Sequence, residues 1–262
     1  SVWAWKSYRA KKITKFLDHL LVLFPFEKKF FTKEGLNTTF VGHPIAFDNN
    51  FKSNKYYIDK SLNDKTFKKV AILPGSRISE IKKLMPVFIK AAVLLSKDYK
   101  FIKFYVVTLY EYENIIMEYF KNTNLNFYIT NNHEERYGIY SKVDFALCAS
   151  GTVTMELAKA STSMLAVYKL NFITWYIVKA MIKVKTATII NILVNENIIP
   201  ELFQKDVNEY NIHRIIKSYL DDENINKIQI NKLNSAINKL KSGNNDPSYI
   251  AAKSVLSYIN AS

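Results

Sequence analysis

Residues 144–156 constrain the fold of this chain more than any other stretch. They read Asp-Phe-Ala-Leu-Cys-Ala-Ser-Gly-Thr-Val-Thr-Met-Glu. The run 145–149 is apolar and uncharged, as expected of a strand buried on both faces of a parallel sheet. Ser150, Gly151 and Thr152 interrupt it, and 153–159 follow with a helical pattern. A strand, a turn of small residues and a helix start together favour anions, because free N–H groups and the positive end of the helix dipole converge there. Gly151 has no Cβ, so a ligand oxygen can come close to its backbone. Glu156 falls one helical turn beyond Thr152 on the same face. Its carboxylate is placed either to accept the hydroxyls of a ribose or only to complement the helix dipole.

Strands alternating with helices extend in both directions from this unit, which predicts a parallel α/β sheet. Residues 1–43 read as a strand over 2–5, a basic helix over 8–17, a strand over 19–24, a helix over 26–33 and a strand over 38–41. The opening Ser-Val-Trp-Ala-Trp reads as a strand already inside a domain, with neither initiator methionine nor signal peptide, so the chain is expected to be the later part of something longer. Periodicity fades over 44–69, where Asn, Lys, Asp and Ser dominate, and this is the expected linker.

A second series occupies 70–205. Its strands are expected over 70–73, 101–108, 126–129, 145–149, 164–168 and near 188–192, and its helices over 79–96, 112–121, 134–141 and 153–159. Residues 206–262 read as three helices with Asn-rich joints, the last starting after the break at 243–247. Residues 170–183 are a strongly apolar helix candidate, too short and too interrupted by Lys179 for a membrane span. A core helix is expected there, with a membrane-facing amphipathic helix as the alternative.

The formal charge of +14 suits nucleic acid, an anionic membrane surface or a phosphorylated substrate, but Lys, Asn and Ile are enriched throughout. No signature of nucleic-acid binding accompanies the charge, so nucleic acid is disfavoured. Lone Cys148 excludes an internal disulfide and a multi-cysteine metal site. The four histidines (His19, His43, His133, His213) show no ligand spacing, and no structural zinc is expected.

Two turns of the second series suit phosphate or sugar. One is Ser150-Gly151-Thr152. The other is Gly75-Ser76-Arg77, where small residues let the backbone close in and the Arg77 guanidinium offers a fork to oxyanions. Ligands of open parallel sheets sit at such turns, beyond the carboxyl ends of strands. Neither turn is a dinucleotide or Walker fingerprint, which disfavours NAD and P-loop nucleotides.

The strings Leu-Pro-Gly-Ser-Arg at 73–77 followed by Glu80-Ile81, Ala-Ser-Gly-Thr-Val-Thr-Met-Glu-Leu-Ala at 149–158, and Pro-Glu-Leu-Phe-Gln at 200–204 resemble lipid-A-disaccharide synthase. So do Ser-Val-Trp-Ala-Trp at the start, Phe-Val-Gly-His-Pro at 40–44 and Tyr168-Lys169 with the apolar stretch after it. The order of these strings is that of the family over the full length. The resemblance implies a GT-B fold, with one complete Rossmann-like donor domain preceded by the closing part of a second Rossmann-like domain. The implied divisions are 1–43 for the end of the acceptor-side domain, 44–69 for the linker, 70–205 for the UDP-sugar domain and 206–262 for the C-terminal helices.

The resemblance also implies a reaction: inverting transfer of a diacylglucosamine from UDP to diacylglucosamine phosphate, with loss of UDP. No metal or other cofactor is implied, since the UDP-sugar is a substrate. The place implied is cytoplasmic, at the inner face of the bacterial inner membrane, with a lipid surface as partner and oligomerisation left open. Arg77 becomes the essential cation at the donor diphosphate, Gly75, Ser76, Ser150, Gly151 and Thr152 the phosphate turns, and Glu156 the ribose ligand. Asn191, Glu201 and Gln204 join the donor pocket. The family usually has proline where this chain has Ile190, which touches the role of Asn191. The family's first strands and the aspartate usually proposed as base would lie upstream of Ser1. Two other readings stand beside the enzyme: a non-catalytic UDP-sugar-binding remnant, and a basic peripheral membrane-binding module.

Overall fold

A computed structural model of the chain describes residues 8–52, 60–169 and 186–260. The strand expected over 2–5 and the apolar helix expected over 170–183 lie outside them. The described chain opens with α1 (Tyr8–Ile13), β1 (His19–Val22), α2 (Lys28–Thr32) and β2 (Asn37–Phe40). β1 and β2 pair in parallel, and Ala10, Val22, Phe31 and Leu36 close a small core around them. Phe31 is buried there.

The second series builds a six-stranded sheet. In chain order it runs β3 (Lys68–Leu73), α3 (Ile78–Asp98), β4 (Ile102–Val107), α4 (Glu113–Phe120), β5 (Phe127–Thr130), α5 (His133–Lys142), β6 (Phe145–Ala149), α6 (Val153–Lys159) and β7 (Met164–Tyr168). Then come α7 (Ile189–Val194), β8 (Glu201–Phe203), α8 (Glu209–Asp221), α9 (Glu223–Asn238) and α10 (Pro247–Ile259). All pairings in this sheet are parallel, and the strand order is β5-β4-β3-β6-β7-β8. The chain therefore winds outward from β3 in one direction, returns to place β6 on the other side of β3, and winds outward again. That reversal leaves a crevice beyond the carboxyl ends of β3 and β6, where ligands of such sheets sit.

The sheet is covered on both faces, as the uninterrupted burial of β6 requires. Alternate side chains divide between two cores. Val70, Ile72, Phe145 and Leu147 meet Ile81, Phe88, Ile116, Phe120, Ile212 and Ile216 from α3, α4 and α8 on one face. Ala71, Leu73, Ala146 and Cys148 meet Tyr137, Tyr140, Leu157, Leu233 and Ile237 from α5, α6 and α9 on the other. Burial pushes the Cys148 thiol up to about 12, so it is a packing group and not a nucleophile. α3 buries Ile81, Leu84, Met85, Phe88, Ala92 and Leu95, a helical stripe. Pro86 inside it stands on the exposed face, where water can satisfy the carbonyl that proline leaves unbonded.

One expectation changes. The stretch 188–192 is not a strand. Thr188 stands at the N-terminal cap position of α7 without a side-chain capping bond, and Asn195, in the left-handed conformation (φ 54°), ends the helix. Within the expected linker 44–69, the described residues Ala46, Phe51 and Leu62 are buried in the second core. Of the C-terminal helices, α8 and α9 close the two faces of the sheet.

The chain after α9 returns to the first unit. His43 N donates to Leu240 O at 2.9 Å, the Ser242 hydroxyl donates to Phe40 O at 2.7 Å, and the Tyr258 ring on α10 lies 5.5 Å from His19. Gly42 (φ 91°) makes this crossing feasible: a Cβ there would lie 3.2 Å from both Leu240 O and Ser242 N.

Candidate functional site

The crevice at the strand reversal holds a cleft of about 370 Å³. Its floor is Leu73 and Ala149 at the ends of β3 and β6, and its two sides are the turns 75–77 and 150–152. Val107, Thr108 and Leu109 after β4, and Asn131 to His133 with Arg136 and Tyr140 from α5, close the end nearer β5.

The first turn is set by Gly75. Its φ of +112° is disallowed for most residues, and a Cβ would stand 2.4 Å from Glu80 Oε2. Arg77 then takes extended backbone (φ −127°, ψ 138°) at the start of α3. Its side chain is 76% exposed and its Nη1 pairs with Glu80 Oε1 at 3.0 Å. The guanidinium is thus held near the turn by one surface ion pair, an interaction weak enough to yield to an oxyanion.

The second turn is tied to the sheet. Ser150 N donates to Val167 O at 3.2 Å, and the Ser150 hydroxyl bonds to the Tyr168 hydroxyl. Tyr168 stacks on Phe203 at 5.0 Å, so the ends of β6, β7 and β8 form one unit. Burial raises the Tyr168 pKa above the usual phenol range. At Gly151 the space that a Cβ would occupy is open, with nothing within 4 Å. Gly151 O accepts from Thr154 N at 3.2 Å and from the Thr154 hydroxyl at 2.8 Å, which starts α6. Thr152 is exposed at that start.

Glu156 does face the cleft, and it has a partner that sequence reading missed. Arg136 Nη2 lies 3.5 Å from Glu156 Oε1, with the two side chains 24% and 17% exposed. Arg136 also covers the Tyr137 ring at 5.0 Å. Burial opposes its charge, yet the Tyr137 hydroxyl and the Glu156 carboxylate raise its pKa. Two atoms of cleft-lining residues, Arg136 Nε and Thr108 Oγ1, are buried without a hydrogen-bond partner among the described residues.

The sequence-derived residues therefore divide. Gly75, Ser76, Arg77, Ser150, Gly151, Thr152 and Glu156 line one cleft. Asn191, Glu201 and Gln204 do not. Asn191 is wholly buried; its Nδ2 donates to Ile199 O at 2.9 Å, and its Oδ1 accepts from Ile198 N at 3.0 Å and Ile199 N at 2.9 Å. Its side chain is bonded to the backbone leading into β8, away from the cleft lining. Glu201 accepts from the Thr186 hydroxyl at 2.6 Å, Ala187 N at 3.0 Å and Thr188 N at 2.6 Å. It fixes the start of α7, where a carboxylate also meets the helix dipole. Gln204 (φ 46°) turns the chain out of β8.

Residues 1–255 match the family described as Lipid-A-disaccharide synthetase. Over 256 residues the chain is 36% identical to the lipid-A-disaccharide synthase of Rickettsia prowazekii, covering 97% of this chain and 67% of that protein. It is 33% identical over 250 residues to lipid-A-disaccharide synthase 1 of Legionella pneumophila strain Paris, covering 94% and 64%. The chain thus spans about two thirds of the length of these curated relatives. Among solved structures, the MnaA–UDP structure from S. aureus superposes with a TM-score of 0.61 at 15% identity, over 95% of this chain and 61% of that one. MurG of Acinetobacter baumannii superposes with a TM-score of 0.52 at 13% identity, over 86% and 57%. These likenesses establish a GT-B fold and no more. The family match runs along nearly the whole chain, and the two turns it contains meet at one cleft of that fold: the chain belongs to the lipid-A-disaccharide synthase family of glycosyltransferases.

Proposed function

We propose that this chain is the donor-binding part of an inverting glycosyltransferase of lipid A assembly, taking UDP-diacylglucosamine as donor and diacylglucosamine phosphate as acceptor. The observation that carries this reading is the meeting of turns 75–77 and 150–152 with Glu156 at the strand reversal. In the reaction an acceptor hydroxyl oxygen bonds to the anomeric carbon, and the bond from that carbon to the β-phosphate oxygen breaks. UDP leaves with the electron pair. Charge grows on the diphosphate as the bond breaks, and Arg77 with the N–H groups of the two turns offsets it. Glu156 takes the ribose hydroxyls.

The acceptor's proton must go to a base on the opposite side of the sugar. The carboxylates lining the cleft, Glu80 and Glu156, are both engaged by arginines on the leaving-group side. Binding and turnover are therefore expected to separate: the purified chain binds UDP in calorimetry and forms no disaccharide by itself. Gly151→Val fills a space that is empty in the protein, so it should abolish UDP binding while leaving the melting temperature near that of the parent. Product formation by the chain alone would show that a base is present. Heat of UDP binding unchanged by Gly151→Val would remove this turn from the site.

An anionic lipid surface is the second partner in this reading. Lys11, Lys12 and Lys15 surround Phe16, which is 74% exposed, a basic and apolar combination suited to a headgroup layer. The helix at 28–32 suits it less, because Phe31 is buried, and the aromatic stretch 175–183 lies outside the described residues. No helix among the described residues is long and apolar enough to cross a membrane. Co-sedimentation should favour anionic over neutral vesicles and weaken with salt, since exposed charges are screened beyond about 10 Å at 0.1 M. Equal sedimentation with both vesicle types would end the electrostatic version.

A further inference from the structure

We infer that Arg136 is the positioning counter-ion of Glu156, holding one carboxylate oxygen so that the other meets the donor ribose, and cancelling a negative charge beside the diphosphate. The inference rests on the reading of the cleft as a UDP-sugar site. A carboxylate in a diphosphate site needs an explanation, because like charges repel.

The structure supplies the remedy from another helix. Arg136 on α5 brings Nη2 within 3.5 Å of Glu156 Oε1 on α6. The guanidinium is itself held, with Nη2 donating to the Tyr137 hydroxyl at 3.3 Å and the Tyr137 ring 5.0 Å away. Arg136, Tyr140 and Glu156 all line the cleft, and Tyr140, almost wholly buried, gives that corner little water. Glu156 Oε1 is the oxygen paired with Arg136, and Glu156 itself lines the cleft. The carboxylate is therefore paired with a cation from a neighbouring helix while it faces the cleft. A contact that merely tied α5 to α6 would not need a position in the cleft.

The two roles predict different signatures. UDP, 2′-deoxyuridine diphosphate and inorganic pyrophosphate are titrated calorimetrically into the full chain and its variants. The parent chain should prefer UDP to the deoxy analogue by about tenfold, the worth of a hydrogen bond to a charged acceptor. Arg136→Gln should reduce that preference to about twofold and weaken pyrophosphate several-fold, because an uncompensated carboxylate then faces the phosphates. Adding Glu156→Gln to Arg136→Gln should restore pyrophosphate binding without restoring the preference for UDP. Arg136→Lys keeps the charge but not the planar fork, so it should retain pyrophosphate and lose part of the preference.

A simple helix tie would lower the melting temperature and treat the three ligands alike. An unchanged UDP preference in Arg136→Gln, or pyrophosphate bound no better by the double variant than by the single one, overturns the inference while leaving the donor site standing. Failure of the parent chain to bind either UDP or pyrophosphate overturns the donor-site reading and this inference with it, before any substitution is made.

Discussion

Arg77→Ala should weaken UDP binding by roughly ten- to a hundredfold, the cost of about 1.5–3 kcal/mol for a lost hydrogen bond to a charged group. Stability should hardly change. The side chain is 76% exposed and its only ion pair among the described residues is to Glu80, so the melting free energy should stay within about 0.5 kcal/mol of the parent. The effect on sugar transfer, in any preparation that turns over, should be larger than on binding. Phosphate charge grows as the sugar–oxygen bond breaks, and removing one donor aimed at such charge costs about 2–4 kcal/mol. Calorimetry with UDP and a thermal melt of the same sample decide the matter. Near-parental UDP affinity would take Arg77 out of the donor site, and a large fall in melting temperature would make it a structural residue.

The two sides of the cleft share a design. Each turn carries a glycine in a different setting: at Gly75 a Cβ is opposed by the backbone and Glu80, whereas at Gly151 the space is open. Each helix that follows has a glutamate in its first turn, Glu80 in α3 and Glu156 in α6, and each glutamate pairs with an arginine. The pairs differ in exposure. Arg77–Glu80 lies largely in water, where an ion pair is worth little and is readily exchanged for phosphate. Arg136–Glu156 is mostly buried, where breaking one partner is costly. Electrostatics thus suits the first arginine to moving onto the ligand and the second to staying in place.

The central unit was legible in the sequence because its boundaries are chemical. Ser150-Gly151-Thr152 breaks an apolar run, and β6, α6 and β7 occupy the residues expected of them. The cleft residues of the two turns were legible for the same reason. What the sequence hid is what depends on residues distant in the chain. Residues 188–194 are rich in β-branched side chains and short enough to suit a strand. They form a helix because Glu201 holds the N–H groups of Ala187 and Thr188 at its start. The polar stretch 44–69 concealed Phe51 and Leu62, whose burial depends on α5: the Phe51 ring meets Tyr137 edge-on at 4.6 Å. Arg136 carried no local signal at all. In His-Glu-Glu-Arg it has the composition of an exposed helix start, and only the packing of α5 against α6 brings it to Glu156.

Asn191→Ala should be the most destabilising of the substitutions considered, by about 3–5 kcal/mol, because it orphans several buried groups at once. The Asn191 side chain satisfies Ile198 N, Ile199 N and Ile199 O, and Ile199 is wholly buried, so water cannot replace those bonds without opening the core. A second buried amide bears on the same segment: Gln229 Nε2 donates to Ile198 O at 2.9 Å and Gln229 Oε1 accepts from Met164 N at 2.7 Å. Together the two amides set where residues 195–199 enter β8, and hence the pairing of β8 with β7, which begins with Ala166 N donating to Pro200 O at 3.1 Å. For a domain of this size each kcal/mol moves the melting temperature by about 2–4 °C, so the expected fall is on the order of 10 °C. UDP affinity per folded molecule, measured well below that melt, should remain near parental, because Asn191 does not line the cleft. The reverse pattern, a parental melt with UDP binding lost, would return Asn191 to the donor pocket and mean that this segment meets the ligand in a conformation other than the one described.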